Sequence, residues 1–149
     1  MSEIWTPHLT VAAVIERDGR FLLVEELSAG ERVFNQPAGH VEDGEPLVDA
    51  VRREVLEETG RVFEPAGICG LYRWRSPQND ATYLRVAFFG GCSGPLPGAV
   101  LDHEIIRTHW LDQAGIAQRQ PQLRSPLVQR CIDDYRLGRY HPLDLFDEL

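Results

Sequence analysis

The hydrophobic and polar positions of this chain change period several times, and each change marks an element. Two apolar runs, "LTVAAVIE" (9–16) and "FLLVEE" (21–26), flank "RDGR", whose Asp-Gly pair predicts a hairpin. After the loop "LSAGER" comes a short extended piece, "VFNQPAG", because Pro37 turns Gln36 away from helical geometry. Helical spacing follows, with Pro46 suited to a first turn and Gly60 to a C-terminal cap. Two longer strand-like runs, "ICGLYRWRS" (68–76) and "TYLRVAFFGGCS" (82–93), are joined by the turn-rich "PQNDA". "IIRTHWL" (105–111) reads as a further strand, and Asp112 as the cap of a short helix over 113–119. Ser125-Pro126 forms the N-cap and first-turn pair of a last helix near 127–137, closed by Gly138, with Leu127, Cys131 and Tyr135 as its core stripe.

Strands on both sides of one central helix, with more helices at the end, predict an α+β fold: a mixed β-sheet sandwiched between helices. Neither a repeat nor a linker divides the chain, so residues 1–149 read as one domain. Composition changes this picture little. The net charge of −8, with no basic run longer than a pair, argues against duplex nucleic acid as a partner but not against a single nucleotide. Cys69, Cys92 and Cys131 have neither zinc-site spacing nor an even count, and read as small packed side chains in a reducing compartment. "MSEIWTPHLT" lacks the pattern of a signal peptide, and no apolar stretch is long enough to span a membrane. The expectation is a cytoplasmic protein without membrane contact, monomeric or homodimeric.

The helix after Gly39 carries the chemistry. At 100° per residue from Glu54, Leu47 falls near roughly +20°, Val51 near +60°, Ala50 near −40°, Glu58 near +40° and Glu57 near −60°. Three acids thus continue the stripe that faces the core and point toward the protein body or a cleft at its edge, with Asp49, Arg52, Leu56 and Thr59 opposite. Like charges at these spacings oppose the helix by roughly 0.2–0.5 kcal/mol per pair. Acids near a C-terminus also oppose the macrodipole, by roughly 0.3–1 kcal/mol each. A hard divalent cation, magnesium or manganese, resolves both conflicts and the cost of burial, since it prefers carboxylate oxygen. Arg53 lies one turn before Glu57 and within reach of Glu45, so its fork is placed to hold a carboxylate in one rotamer.

Read position by position, residues 39–61 resemble the Nudix box, G-x5-E-x7-R-E-U-x-E-E-x-G-U with U aliphatic. Gly39, Glu45, Arg53, Glu54, Val55, Glu57, Glu58 and Gly60 stand where that pattern asks. Arg61 departs from it, with Val62 one place later, which predicts a shifted start to the following strand. The resemblance implies a Nudix hydrolase that binds magnesium through Glu54, Glu57 and Glu58, with the Gly39 carbonyl as a further ligand and Glu45 and Arg53 as an orienting pair. It also implies a water attacking phosphorus in line, its proton taken by Glu57 or Glu54. Glu104 stands where some members supply a further acid.

A closer similarity, to phosphatases within that family, runs through "PHLTVAAVIERDGRFLLVEE", the box, "LRSPLV" (123–128) and "GRYHPL". It implies release of inorganic phosphate from nucleoside tri- and diphosphates and from the thiamine pyrimidine pyrophosphate. Pro77, 16 residues beyond Arg61, resembles a marker of ADP-ribose pyrophosphatases, the alternative on the same chemistry. A non-catalytic nucleotide sensor would be expected to lack a box acid or to carry a DNA-binding domain. Outside the box, Trp74 is placed to stack on a ring, while Arg85 and Arg124 are candidates for phosphate. Strand alternation puts Tyr72 and Trp74 on one face and Arg73 and Arg75 on the other. Asn35 and Gln36 are candidates for hydrogen bonds to substrate, Ser125 for shaping the pocket, and His40 for a supporting or solvent-facing role beside Gly39.

Overall fold

The computed structural model describes residues 2–149. Its elements are β1 (His8–Val14), β2 (Glu16–Arg17), β3 (Arg20–Ser28), β4 (Glu31–Asn35), β5 (Ala38–His40), α1 (Leu47–Thr59), β6 (Phe63–Arg75), β7 (Thr82–Cys92), β8 (Ile105–Leu111), α2 (Gln113–Gln118) and α3 (Pro126–Arg136). The mixed sheet has the order β5-β1-β7-β6, with β1 and β7 parallel at its centre and both outer pairs antiparallel. Alternation along its strands divides the core in two. Val11, Ala13, Val86 and Phe88 pack with Ala50, Val51 and Val55 of α1, while Val14 and Ala87 pack with Val128, Cys131 and Ile132 of α3. The sheet therefore lies between helices, as the pattern predicts. Among the described residues no helix is long and apolar enough to cross a membrane.

A second, antiparallel sheet is built on β3, which pairs with β2 and β4 and, on its other edge, with β8. Here the structure departs from the hairpin expected of residues 9–26. The Asp18-Gly19 turn forms, both residues at positive φ (52° and 77°), but only Glu16 and Arg17 pair back onto β3. The rest of the first run is β1, because a strand buried on both faces finds its partners in β5 and β7.

The strand after α1 also begins earlier than its apolar run, at Phe63 rather than Ile68. It is the outer strand of its sheet, where Pro65 sits at a register shift and costs no internal ladder bond. Nor does Val62 replace the missing aliphatic residue at 61. Val62 is 42% exposed and Phe63 fully buried, while Arg61 itself is buried, donating to the Ser93 carbonyl at 3.1 Å and lying over Trp110.

Local caps fix the helix ends. Gly60 ends α1 at φ 69°, its N–H bonded to the Leu56 carbonyl at 2.9 Å. Asp112 accepts the Gly115 N–H, and Ser125 accepts that of Leu127 ahead of Pro126. A Cβ at residue 60 would meet that of Ala99 at 2.9 Å, in addition to the left-handed backbone. Gly60→Ala should therefore cost roughly 1–2 kcal/mol. A urea titration checks this, the expected result being a lower midpoint with an unchanged slope.

Candidate active site

The site is built where β5 leads into α1. The buried arc of that helix comprises Ala50, Val51, Glu54, Val55, Glu58 and Thr59. Thr59, expected outside, is buried with its hydroxyl donating to the Val55 carbonyl, and Glu57 lies at the edge with a side chain 40% exposed. Glu58 reaches under β5 and accepts the Ala38 N–H at 2.7 Å. Glu54 lies directly against Gly39, where a Cβ would approach its carboxyl carbon to 2.2 Å. Only glycine permits that approach.

Arg53 organises the remaining acids. Its Nε and Nη2 fork onto Glu45 at 2.7 and 2.9 Å, as the sequence suggests. Its Nη1 donates to Glu54 at 2.9 Å and to Glu57 at 3.2 Å, and its Nη2 donates to the His40 carbonyl at 3.0 Å. This grip holds the Glu45 carboxyl below the usual carboxylate range. Glu54 goes the other way, to about 7, chiefly through burial, with Arg53 opposing the rise and Glu57 and Asp102 adding to it. Burial pushes Glu58 up to about 9; the Ala38 N–H resists, while Glu26, Glu54 and Asp102 raise it further. Among the described residues no three acidic, histidine or cysteine side chains converge closely enough to enclose a cation. The donor set nonetheless fits a hard divalent ion: two desolvated carboxylates beside a glycine, with a third at the rim and no nitrogen or sulfur among them.

Two participants escaped the sequence reading. Glu26 is buried, pairs with Arg124 and raises Glu58. Its signal was the pair Glu25-Glu26 at the end of an apolar strand, since adjacent strand residues take opposite faces and both faces of β3 are covered. Asp102 donates its N–H to the Glu57 carbonyl at 2.9 Å and acts on both buried acids, and nothing local in the sequence marks it. Glu104 is 65% exposed beside His103, so the late-loop acid whose charge reaches Glu54 and Glu58 is Asp102.

The other candidates divide into two groups. Trp74 and Arg124 line one cleft of about 430 Å³, together with Pro77, Leu123 and Ser125. Trp74 stacks on Tyr83, and Arg73 and Arg75 take the exposed face of β6 as predicted. Arg124 pairs with Glu26, the buried acid whose charge helps to raise Glu58. Arg85 and Asn35, by contrast, face each other. Arg85 is 6% exposed and forks onto Gln36 at 2.9 Å and Asn35 at 3.2 Å, while Gln36 donates to the Val128 carbonyl at 2.8 Å. Alternation places Arg85 on the α3 face of β7, beside Ala87 and Cys131, so its fork holds the segment entering β5. His40 is exposed, with its ring 2.9 Å from that of His8.

The family model of the NUDIX domain matches residues 6–131. The chain belongs to the Nudix family. It is 37% identical over 145 residues to phosphatase NudJ of Escherichia coli strain K12, which covers 97% of this chain and 94% of that protein. A NUDIX hydrolase from Nitrosomonas europaea superposes with a TM-score of 0.94 at 45% identity, covering 97% of this chain and 98% of the other. The NUDIX domain of Shewanella oneidensis NrtR, solved with ADP ribose, shares the fold at a TM-score of 0.71 and 18% identity, covering 91% and 90%. This Nudix chain is thus a hydrolase of phosphoric anhydride bonds, in a family that generally uses divalent metal ions.

The raised acids give a pH dependence of stability with a definite sign. Groups whose folded value lies above 4.5 stabilise the fold fully only below that pH, and the contribution is lost as pH rises toward about 7 for Glu54 and about 9 for Glu58. In chelator the melting temperature should fall between about pH 5 and pH 9, with a shallower fall in Glu58→Gln. A divalent cation should restore more of it at about pH 8 than at about pH 5. Calorimetric melting across pH checks this; superimposable flat profiles for both proteins would mean that the two carboxyls are solvated.

Proposed function

We propose that this Nudix hydrolase is a magnesium-dependent cytoplasmic phosphatase. It releases inorganic phosphate from nucleoside tri- and diphosphates and from the thiamine pyrimidine pyrophosphate. The observation that carries this reading is one ion pair, Arg124 with Glu26, between a residue lining the cleft beside Trp74 and an acid whose charge reaches the buried Glu58 of α1. The likeness to NudJ along 97% of the chain supports the choice of a terminal phosphate.

Glu54, Glu57, Glu58 and the Gly39 carbonyl would hold magnesium, which when bound neutralises phosphate charge and makes water more acidic; manganese is a suitable substitute. The chain's own groups do the rest. A water oxygen attacks the terminal phosphorus in line, the anhydride P–O bond breaks, and the shortened substrate leaves with its electron pair. The proton of that water passes to Glu57 or Glu54, of which Glu57 is the more open to solvent. Arg53 keeps both in place while gripping Glu45. Arg124 supplies positive charge at the cleft and Trp74 a surface for the ring. Arg85 and Asn35 position the loop that enters β5.

One observation favours a second substrate, ADP-ribose, on the same chemistry: Pro77 lines the cleft. The NrtR domain, which shares the fold, was solved with that ligand. The two readings differ in products. With magnesium, GTP, GDP and the thiamine-pathway pyrimidine pyrophosphate should yield phosphate without added pyrophosphatase. AMP and ribose phosphate from ADP-ribose, with no free phosphate from the other three, would replace the first reading by the second. Glu57→Gln and Glu58→Gln should each lose at least roughly a hundredfold in kcat/KM, or about 2.7 kcal/mol, while retaining native circular dichroism. Near-normal turnover in both would move the metal site elsewhere.

A further inference from the structure

Arg61 stands where the box pattern asks for an aliphatic residue, and the proposed reaction makes no use of it. It and Arg85 are the buried arginines among the described residues, and the fold treats them differently. Arg85 commits its fork to Gln36 and Asn35. Arg61 makes one hydrogen bond, from Nη1 to the Ser93 carbonyl at 3.1 Å, and its Cζ lies 5.4 Å from the centre of the Trp110 ring. Its Nε is buried without a partner, while Nη2 carries no hydrogen bond and meets solvent. Arg17 comes to the same ring from β2, its Cζ 4.8 Å from the centre and its Nη2 donating to the Cys92 carbonyl at 2.8 Å. Among the described residues neither of these two arginines pairs with a carboxylate.

Two guanidiniums thus crowd one half-buried indole near the ends of β2 and β7, with no acid to balance them. An arginine cannot shed its proton, and taking its charge out of water without an anion is costly. The indole face attracts a cation without neutralising it, and a main-chain carbonyl carries only partial charge. A guanidinium stacked on a ring keeps its remaining in-plane donors free, in the fork geometry that phosphate oxygens match. We propose that the rim of Trp110 is a second anion site, where Nη2 of Arg61 donates to a phosphate group and Arg17 adds its charge. The phosphate is either the free ion or the 5′-phosphate of a nucleotide, since both present the same oxyanion. This site shares no residue with the cleft of Trp74 and Arg124 and needs no metal. Arg17 is exposed, so water and salt compete for the ion, and the affinity belongs in the millimolar range.

The chain has three tryptophans, so Trp5→Phe combined with Trp74→Phe leaves Trp110 as the sole indole and a reporter inside the site. Inorganic phosphate and GMP, which has no anhydride bond to hydrolyse, are titrated separately while the emission is followed. Each should give a saturable change with a Kd of roughly 1–10 mM, and the tighter of the two names the source of the phosphate. Magnesium should leave both constants within about twofold, because the acids of α1 take no part. In the same background Arg61→Leu, which supplies the aliphatic residue of the box pattern, should abolish the response. Arg17→Gln, at an exposed position, should weaken binding roughly three- to tenfold and decides the matter should Arg61→Leu not fold. A response that appears only with magnesium would place the phosphate at the acids of α1 and overturn the proposal. So would an equal response to sodium chloride of the same ionic strength, no saturation up to about 50 mM, or an unchanged constant in either variant. Arg61 would then serve only the end of α1 and the face of Trp110.

Discussion

Two carboxylates, Glu54 and Glu58, leave water on the same face of α1 that carries Ala50, Val51 and Val55 into the core, and much of the surrounding structure answers the cost of that burial. The Ala38 N–H satisfies one oxygen of Glu58, and Arg53 satisfies one of Glu54. These bonds do not bring either group back to an ordinary carboxylate, because burial outweighs them and nearby acids add to it, Glu57 and Asp102 for Glu54, and Glu26, Glu54 and Asp102 for Glu58. A purely structural helix has no reason to bury two acids on its core face against the negative charge of Glu26 and Asp102. The arrangement suits the divalent cation proposed above, with Arg53 keeping the rim acids from splaying.

What could be read from the sequence was local. Gly60, Asp112 and Ser125 lie next to the helix ends they cap, and the Asp18-Gly19 turn needs only its own backbone. The facing of α1 followed from its period, apart from Thr59, which lies inside. What was not legible depended on distant partners. Residues 9–16 had the composition of a hairpin strand, yet most of that run pairs with β5 and β7 because both its faces meet helices. Arg85 looked like a stray charge on an apolar strand until the fold brought Gln36 and Asn35 to it, across 49 and 50 residues. Asp102 reached the acids through a loop whose course no local rule dictates.

The start of α1 shows the same dependence on distant chain. Pro46 offers no side-chain cap, so an N–H of the first turn is exposed to the usual penalty. The Glu148 carboxylate meets it, accepting the Leu47 N–H at 2.8 Å from 101 residues away. Leu143 and Phe146 bring that segment onto the core beside Leu47, and His141 bridges Ile68. The helix that bears the acids is thereby fixed at both ends, by Gly60 in its own sequence and by a tail that packs across its first turn. Its acids can then repel one another without unwinding the turns that hold them.

These two kinds of contact separate what this protein does from what it does it to. The acids, the glycine that admits Glu54 and the arginine that orders them lie within 39–60, and altering any one disturbs several buried bonds. The cleft is assembled instead from the end of β6, the turn after it and the segment before α3. Its Gln120 is exposed and holds a single neighbour, so a change there costs the fold little. The proposed chemistry is therefore tied to the core, while the proposed substrate cleft is lined by side chains that can vary without it. That is why a box of eight matched positions identifies the family, whereas the cleft beside it is lined by residues that the box does not contain.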